Sequence, residues 1–163
     1  DTEYVDLWLI HWPPGRAASP ETWRALMAAD REGRARAIGV SNYSIAQIDE
    51  LIETTGEAPA VNQVKWSPSL HDPDRLAAHR ERGVILEGYS PFKSTSLRHP
   101  TLVEIANAHG VTPAQIVVRW HVQHAIVVIP KTAQLDRLET NGDVERFELD
   151  AAEMARIDGM SEG

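Results

Sequence analysis

YVDLWLIHWPP, residues 4–14, reads as one strand that ends in a histidine. Val5, Leu7, Trp8, Leu9 and Ile10 make an almost wholly apolar, β-favouring run, the pattern of a parallel strand covered on both faces. Asp6 alone interrupts it. Pro13 and Pro14 cannot continue a hydrogen-bonded ladder, which places His11 at the carboxyl end of the strand. Whether this run belongs to a repeating architecture depends on the segments downstream of it.

Working outward, Ser19-Pro20-Glu21 supplies an N-cap, a proline at the first helical position and early negative charge. Trp23, Leu26 and Met27 then mark one apolar face of a helix that runs to about Gly33. Ala37 to Val40 is a short strand that stops at Ser41-Asn42. Ser44 and Gln47 have capping-box spacing, and Ile45, Ile48, Leu51 and Ile52 form the buried face of a helix closed by Gly56. A third strand, Ala60 to Val64, carries Asn62 and Gln63, and its helix runs from Asp72-Pro73 to Gly83. The fourth, Val84 to Gly88, leads into Tyr89-Ser90-Pro91 and a loop from Phe92 to His99. The next helix spans Pro100 to Gly110, and Thr112 to Gln115 caps another whose apolar side is Ile116, Val117 and Trp120. The fifth strand, Ile126 to Ile129, ends at Pro130-Lys131-Thr132. Leu135 to about Val144 is a further helix, and Asp150 to Glu153 opens a last one with another capping box.

Strands of four to six residues alternating with longer helices indicate parallel βα units with right-handed crossovers, which bring every strand's carboxyl end to one rim. The residues at the five ends are His11, Ser41-Asn42, Gln63, Tyr89-Ser90 and Lys131-Thr132. In a barrel, as in an open doubly wound sheet, that rim is where ligands bind. GVSNY lacks the glycine spacing of a Rossmann fingerprint, so the fold class expected is α/β, an incomplete TIM-type (βα)8 barrel with about five of eight units.

The 163 residues suffice for one core and suggest a single unit. With 42% hydrophobic and 25% charged residues and no apolar run near the ~20 residues of a membrane span, a soluble protein is expected. The first residues do not resemble a secretory signal and there is no cysteine, which fits a cytoplasmic location and excludes thiolate metal sites. A net charge of −8 argues against nucleic acid as a general partner and requires any bound anion to meet a local basic cluster. Lys131 and Arg137 are such a cluster. His71, His79, His99, His109, His121 and His124 have no spacing suited to a metal site on one strand end or helix face and read as surface or core residues.

Taken in register, YVDLWLIHWP, AIGVSNY, PAVNQV, GYSPF and VVIPKTAQLDRLETN resemble the aldo-keto reductases, most closely the bacterial branch that includes the diketogluconate reductases. The resemblance covers essentially the whole chain. It implies a (βα)8 barrel that uses NADPH to reduce aldehydes and ketones to alcohols, with this chain corresponding to strands four to eight. Of the family's aspartate, tyrosine, lysine and histidine, only the histidine has a matching motif here, as His11.

By that resemblance His11 orients the substrate carbonyl and stabilises charge on its oxygen. Ser41, Asn42 and Gln63 read the nicotinamide carboxamide, and Tyr89 stacks on the ring. Ser90, Phe92 and Ser94 follow the pyrophosphate. Lys131, Thr132 and Arg137 hold the adenosine 2′-phosphate, and Asn141 reads adenine. On residue type alone the same side chains serve as strand-end caps, a core tyrosine and a solvated helix start. The chain departs from the pattern at Thr140, where the family has a glutamate, and at Lys65 and Ser67, where this branch has an acidic residue and a histidine.

Two further classes are weighed. One is a non-catalytic dinucleotide-binding or oligomerising module from a truncated gene product, since the strands at Val5–Ile10 and Ile126–Ile129 would lack barrel neighbours and such edges seek partners. The other, a metal-dependent hydrolase, is disfavoured by the absence of clustered carboxylates and histidines at the strand ends. The partner expected is a small carbonyl compound, without nucleic acid or membrane, and the residues present are expected to be inactive alone.

Overall fold

Each of five strands is followed by one or two helices in the computed structural model, which describes residues 2–15 and 17–162. Asp1, Arg16 (within the Pro13 to Ser19 loop) and Gly163 lie outside the described residues. The order is β1 (Val5–Ile10), α1 (Pro20–Arg31), β2 (Ala35–Ser41), α2 (Ile45–Thr55), β3 (Val61–Lys65), α3 (Pro73–Glu81), β4 (Ile85–Tyr89), α4 (Pro100–His109), α5 (Pro113–Gln123), β5 (Val127–Ile129), α6 (Leu135–Gly142) and α7 (Ala151–Asp158). Short 3-10 turns occupy Pro68–Leu70 and Gly159–Glu162. The strands form one sheet in chain order, and the β1–β2, β2–β3 and β4–β5 pairs are parallel. No helix among the described residues is long and apolar enough to cross a membrane.

The chain divides into two compact units, Asp1–Val64 with Pro73–Leu86, and Lys65–Asp72 with Glu87–Gly163. In the first, β2 presents Ile38 and Val40 to Trp23, Leu26 and Met27 of α1 and to Ile48 and Leu51 of α2. Gly39 lies in β2 because no side chain fits there: a Cβ would come within 2.6 Å of Val61 O and 2.8 Å of Leu9 Cδ2. Helix α2 has the full capping box, Ser44 Oγ accepting from Gln47 N and Gln47 Oε1 accepting from Ser44 N. Arg82 grips Asp49 with two nitrogens at 2.5 and 2.9 Å, fastening the end of α3 to α2. In the second unit Leu102, Ile105, Ile116, Val117, Trp120 and Ile157 bring α4, α5 and α7 into one buried cluster. Thr112–Gln115 and Asp150–Glu153 are again reciprocal capping boxes.

Two expectations are corrected. β1 is not covered on both faces: it pairs only with β2, at the end of the sheet, and Val5 and Trp8 keep 43% and 45% of their surface exposed. Ser19 occupies the N-cap position of α1 but does not cap it, because its backbone is left-handed (φ 59°) and its Oγ faces Thr22 Oγ1 at 3.2 Å. Strand limits otherwise shift by one or two residues: β2 begins at Ala35, β3 and β4 each start one residue later than expected, and β5 begins at Val127.

Candidate functional site

Three strand ends in the first unit meet around Asn42. Asn42 follows β2 with φ 62°, a left-handed conformation that asparagine tolerates better than most residues. That turn aims its backbone N–H at Gln63 O (2.9 Å) and its Nδ2 at Ser41 Oγ (2.9 Å) and His11 O (3.4 Å). Ser41 Oγ in turn donates to Gln63 O at 2.9 Å. Hydrogen bonds therefore join all four residues expected here, His11, Ser41, Asn42 and Gln63. The His11 side chain is exposed beyond the end of β1, its ring centroid 6.4 Å from that of Trp12.

The side chains of β3 alternate in a way that changes the reading of its amides. Asn62 is the fully buried one, whereas Gln63 is half-buried. Asn62 Oδ1 accepts from Tyr43 N (3.3 Å), and its Nδ2 donates to Tyr43 O (2.9 Å) and faces His79 Nε2 (3.0 Å). His79 Nδ1 lies 2.7 Å from Arg75 O, so Nδ1 carries the proton and Nε2 accepts from Asn62. Burial lowers the His79 pKa and keeps the ring in this neutral form. Of the two adjacent amides it is thus Asn62 that is buried with its partners, and its role is structural.

In the second unit Lys131, Thr132, Arg137 and Asn141, with Phe92, line a pocket of about 400 Å³. Leu97, Thr112, Ala114 and Thr140 complete it, and among the described lining residues there are two cations and no carboxylate. In a chain with an excess of acidic residues, this is a place where an anion meets attraction. The β5 end supplies Lys131 and Thr132, while α6 presents Arg137 and, four residues later on the same face, Asn141. Thr132 Oγ1 accepts from Gln134 N at 3.1 Å, which tightens the turn into α6.

Tyr89, Ser90 and Ser94 lie outside this lining. Tyr89 ends β4, half-buried, and its carbonyl accepts from Trp66 N at 3.3 Å. Ser90 adopts φ 55° and its carbonyl accepts from Lys93 N at 3.1 Å, so a left-handed residue turns the chain out of β4 as Asn42 does after β2. The buried hydroxyl of the loop after β4 is Thr95, not Ser94. Thr95 Oγ1 accepts from Ser69 N (3.0 Å) and donates to Ser69 Oγ (3.1 Å). Leu97, Thr112 and Ala114 as pocket walls are invisible in the sequence, where Thr112 carries only the signature of a helix cap.

The tyrosines are otherwise engaged. Tyr43 donates its hydroxyl to Ala18 O at 3.0 Å, and burial followed by the nearby Glu50 raises its pKa. Tyr4 accepts from Arg36 at 2.6 Å. Two of the dispersed histidines come together: His71, His124 and Asp158 gather their ligating atoms within 4.8 Å of one another.

Comparison with known proteins matches the chain to one family. The model of the aldo/keto reductase family covers residues 1–162. An aldo-keto reductase of Mycobacterium sp. (strain KMS) is 40% identical over 163 residues, covering 99% of this chain and 59% of that protein. A glyoxal reductase of Bacillus subtilis (strain 168) is 38% identical, covering 98% and 58%. A crystal structure of a Gox0644 mutant in complex with NADPH superimposes with a TM-score of 0.92 at 37% identity, covering 97% of this chain and 59% of that one. The chain thus spans a little under 60% of the length of these relatives.

Proposed function

The chain belongs to the aldo/keto reductase family, and on that premise we propose that it carries the cofactor-binding part of an NADPH-dependent reductase of small aldehydes and ketones. Its five βα units belong to the TIM-type (βα)8 barrel of that family. We read the whole chain as one stretch of a single barrel domain, strands four to eight, of a cytoplasmic enzyme.

The observation that carries this reading is the pocket lined by Lys131, Thr132, Arg137 and Asn141. A planar guanidinium and an ammonium suit a phosphate monoester, hydroxyl and amide groups suit a ribose and a purine edge, and Phe92 offers an apolar wall. This donor set fits a 2′-phosphorylated adenosine. At the strand ends of the first unit, Ser41, Asn42 and Gln63 supply the hydroxyl and amide groups for a carboxamide; in the second unit, the Tyr89 ring offers a stacking face for a nicotinamide. Reduced nicotinamide, when bound, supplies the hydride. His11 donates a hydrogen bond that fixes the carbonyl oxygen of the substrate and stabilises the charge that develops there. Asn42 holds His11 through the backbone carbonyl. Of the three tyrosines, Tyr4 and Tyr43 have hydroxyls tied to Arg36 and Ala18 and Tyr89 is given the stacking role, so no proton donor for the alkoxide is assigned. Residues 1–163 alone are therefore expected to bind the cofactor without turning over a carbonyl.

Quenching of tryptophan fluorescence by NADPH and by NADH tests the reading. A charge-assisted bond to phosphate contributes about 1.5–3 kcal/mol, roughly a 10- to 100-fold difference in Kd. NADPH should bind tighter by that factor, and Arg137→Ala should remove most of the advantage while leaving NADH binding unchanged. Equal affinity of the native chain for both would sink the assignment. The exposed edges at Val5, Trp8, Val127 and Ile129 favour a second reading, in which these residues alone act as a self-associating module.

A further inference from the structure

We propose that His71, His124 and Asp158 form a binding site for one divalent first-row transition-metal ion, with Zn²⁺ as its representative. The three residues lie 53 and 34 positions apart in the chain and share no helix or strand end. His71 follows the 3-10 turn Pro68–Leu70, His124 caps the end of α5, and Asp158 ends α7.

His71 is the most buried member of the group. Its side chain is 6% exposed, yet Nδ1 is buried with no hydrogen-bond partner among the described residues. Nε2 stands 3.7 Å from Asp158 Oδ1, outside hydrogen-bonding distance. A buried imidazole left in this state is unfavourable, and Nε2, the nitrogen nearer Asp158, is the one placed to take a ligand. The ring is held between Trp66 and Trp120, at centroid distances of 6.0 and 5.4 Å, and stacks on His124 at 5.0 Å. Its orientation is set by packing.

The other two groups are arranged as ligands are. His124 Nε2 lies 2.8 Å from Asp158 Oδ1, and Trp120 Nε1 donates to the same oxygen at 2.8 Å, so the indole fixes the carboxylate as outer partners of metal ligands do. Zn–N and Zn–O bonds of about 2.0–2.2 Å place ligand atoms of a tetrahedral ion roughly 3.3 Å apart. The present separations of 2.8 and 3.7 Å bracket that value, and no pair exceeds 4.8 Å. To close the set, the stacked His71 and His124 rings must turn so that both in-plane lone pairs meet at one point, with the ion replacing the proton on His124 Nε2, which moves to Nδ1. Two imidazoles and one carboxylate suit zinc and its neighbours better than calcium or magnesium, and three protein ligands leave a position for water. The bound ion would cross-link three segments distant in sequence.

The test uses the untagged 163-residue chain with metal alone. Isothermal titration with ZnCl₂ should give one ion per chain, and Co²⁺ should develop the visible absorption bands of a low-symmetry site. His71→Gln and His124→Gln should each weaken binding at least about tenfold, while His109→Gln, in a separate His–Glu pair, should leave it unchanged. A zinc-dependent rise in the Tm of the native chain provides a readout that needs no variant. Absence of binding by the native chain, or binding that both histidine variants leave within about twofold, would overturn the proposal.

Discussion

Acidification from about pH 7.5 to about pH 5 should destabilise the protein through its buried histidines, above all His121. That ring is fully buried, and its Nδ1 lies 2.7 Å from Val117 O. Burial, opposed by the backbone hydrogen bond to Val117, pushes its pKa down from 6.5 to about 4. In the unfolded chain the same imidazole gains a proton as the pH falls below 6.5, whereas in the folded chain it stays neutral until about 4. Within that window the unfolded state binds more protons, so the stability contributed by His121 is complete above 6.5 and shrinks as the pH is lowered. Each pH unit removes about 1.36 kcal/mol, so going from about 6.5 to about 5 removes about 2 kcal/mol. His79 and His71, both lowered by burial, act in the same direction. Asp49 and Glu104, lowered by bonds to Arg82 and Arg156, lose their contribution only further down, in the carboxylate range. The assay is urea unfolding, followed by tryptophan fluorescence and circular dichroism, of the native chain and His121→Gln across this range. The native chain should lose about 2 kcal/mol more than the variant between the two ends. Parallel profiles for the two proteins would refute the reasoning.

Two predictions concern the sheet. Gly39→Ala forces a methyl group against Val61 O and Leu9 Cδ2 and should cost about 1–3 kcal/mol or more; an unchanged urea midpoint would contradict the close approach. The 163-residue chain should show a sedimentation mass that rises with concentration, and Val127→Lys should reduce it, because β5 exposes Val127 and Ile129 at the end of the sheet. A monodisperse native monomer at all concentrations would argue against self-association.

What the sequence reveals here depends on how far apart the interacting residues are. The capping boxes at Ser44–Gln47, Thr112–Gln115 and Asp150–Glu153 involve partners three residues apart, and each forms as its spacing predicts. The βα alternation is equally local, so strand order and helix faces are legible. Ser19 fails as a cap because left-handed backbone, which residue type does not announce, turns its hydroxyl away. At β3 the sequence names two adjacent amides but cannot say which faces the helices, and Asn62 rather than Gln63 proves to be buried. Grouping of His71, His124 and Asp158, and of Leu97 and Thr112 with Lys131, comes from packing between distant segments that no spacing rule encodes.

The network around Asn42 has a thermodynamic consequence. Ser41 Oγ already donates to Gln63 O and accepts from Asn42, and the Asn42 amide is already shared with His11. An incoming amide at these strand ends exchanges existing hydrogen bonds for new ones, a trade whose net yield is small. Because folding has already fixed these side chains, binding loses little further rotamer entropy here. On the proposed reading, this corner would act as a gauge of ligand shape, rejecting groups that cannot match its fixed pattern, and would leave the strength of binding to be set elsewhere on the ligand.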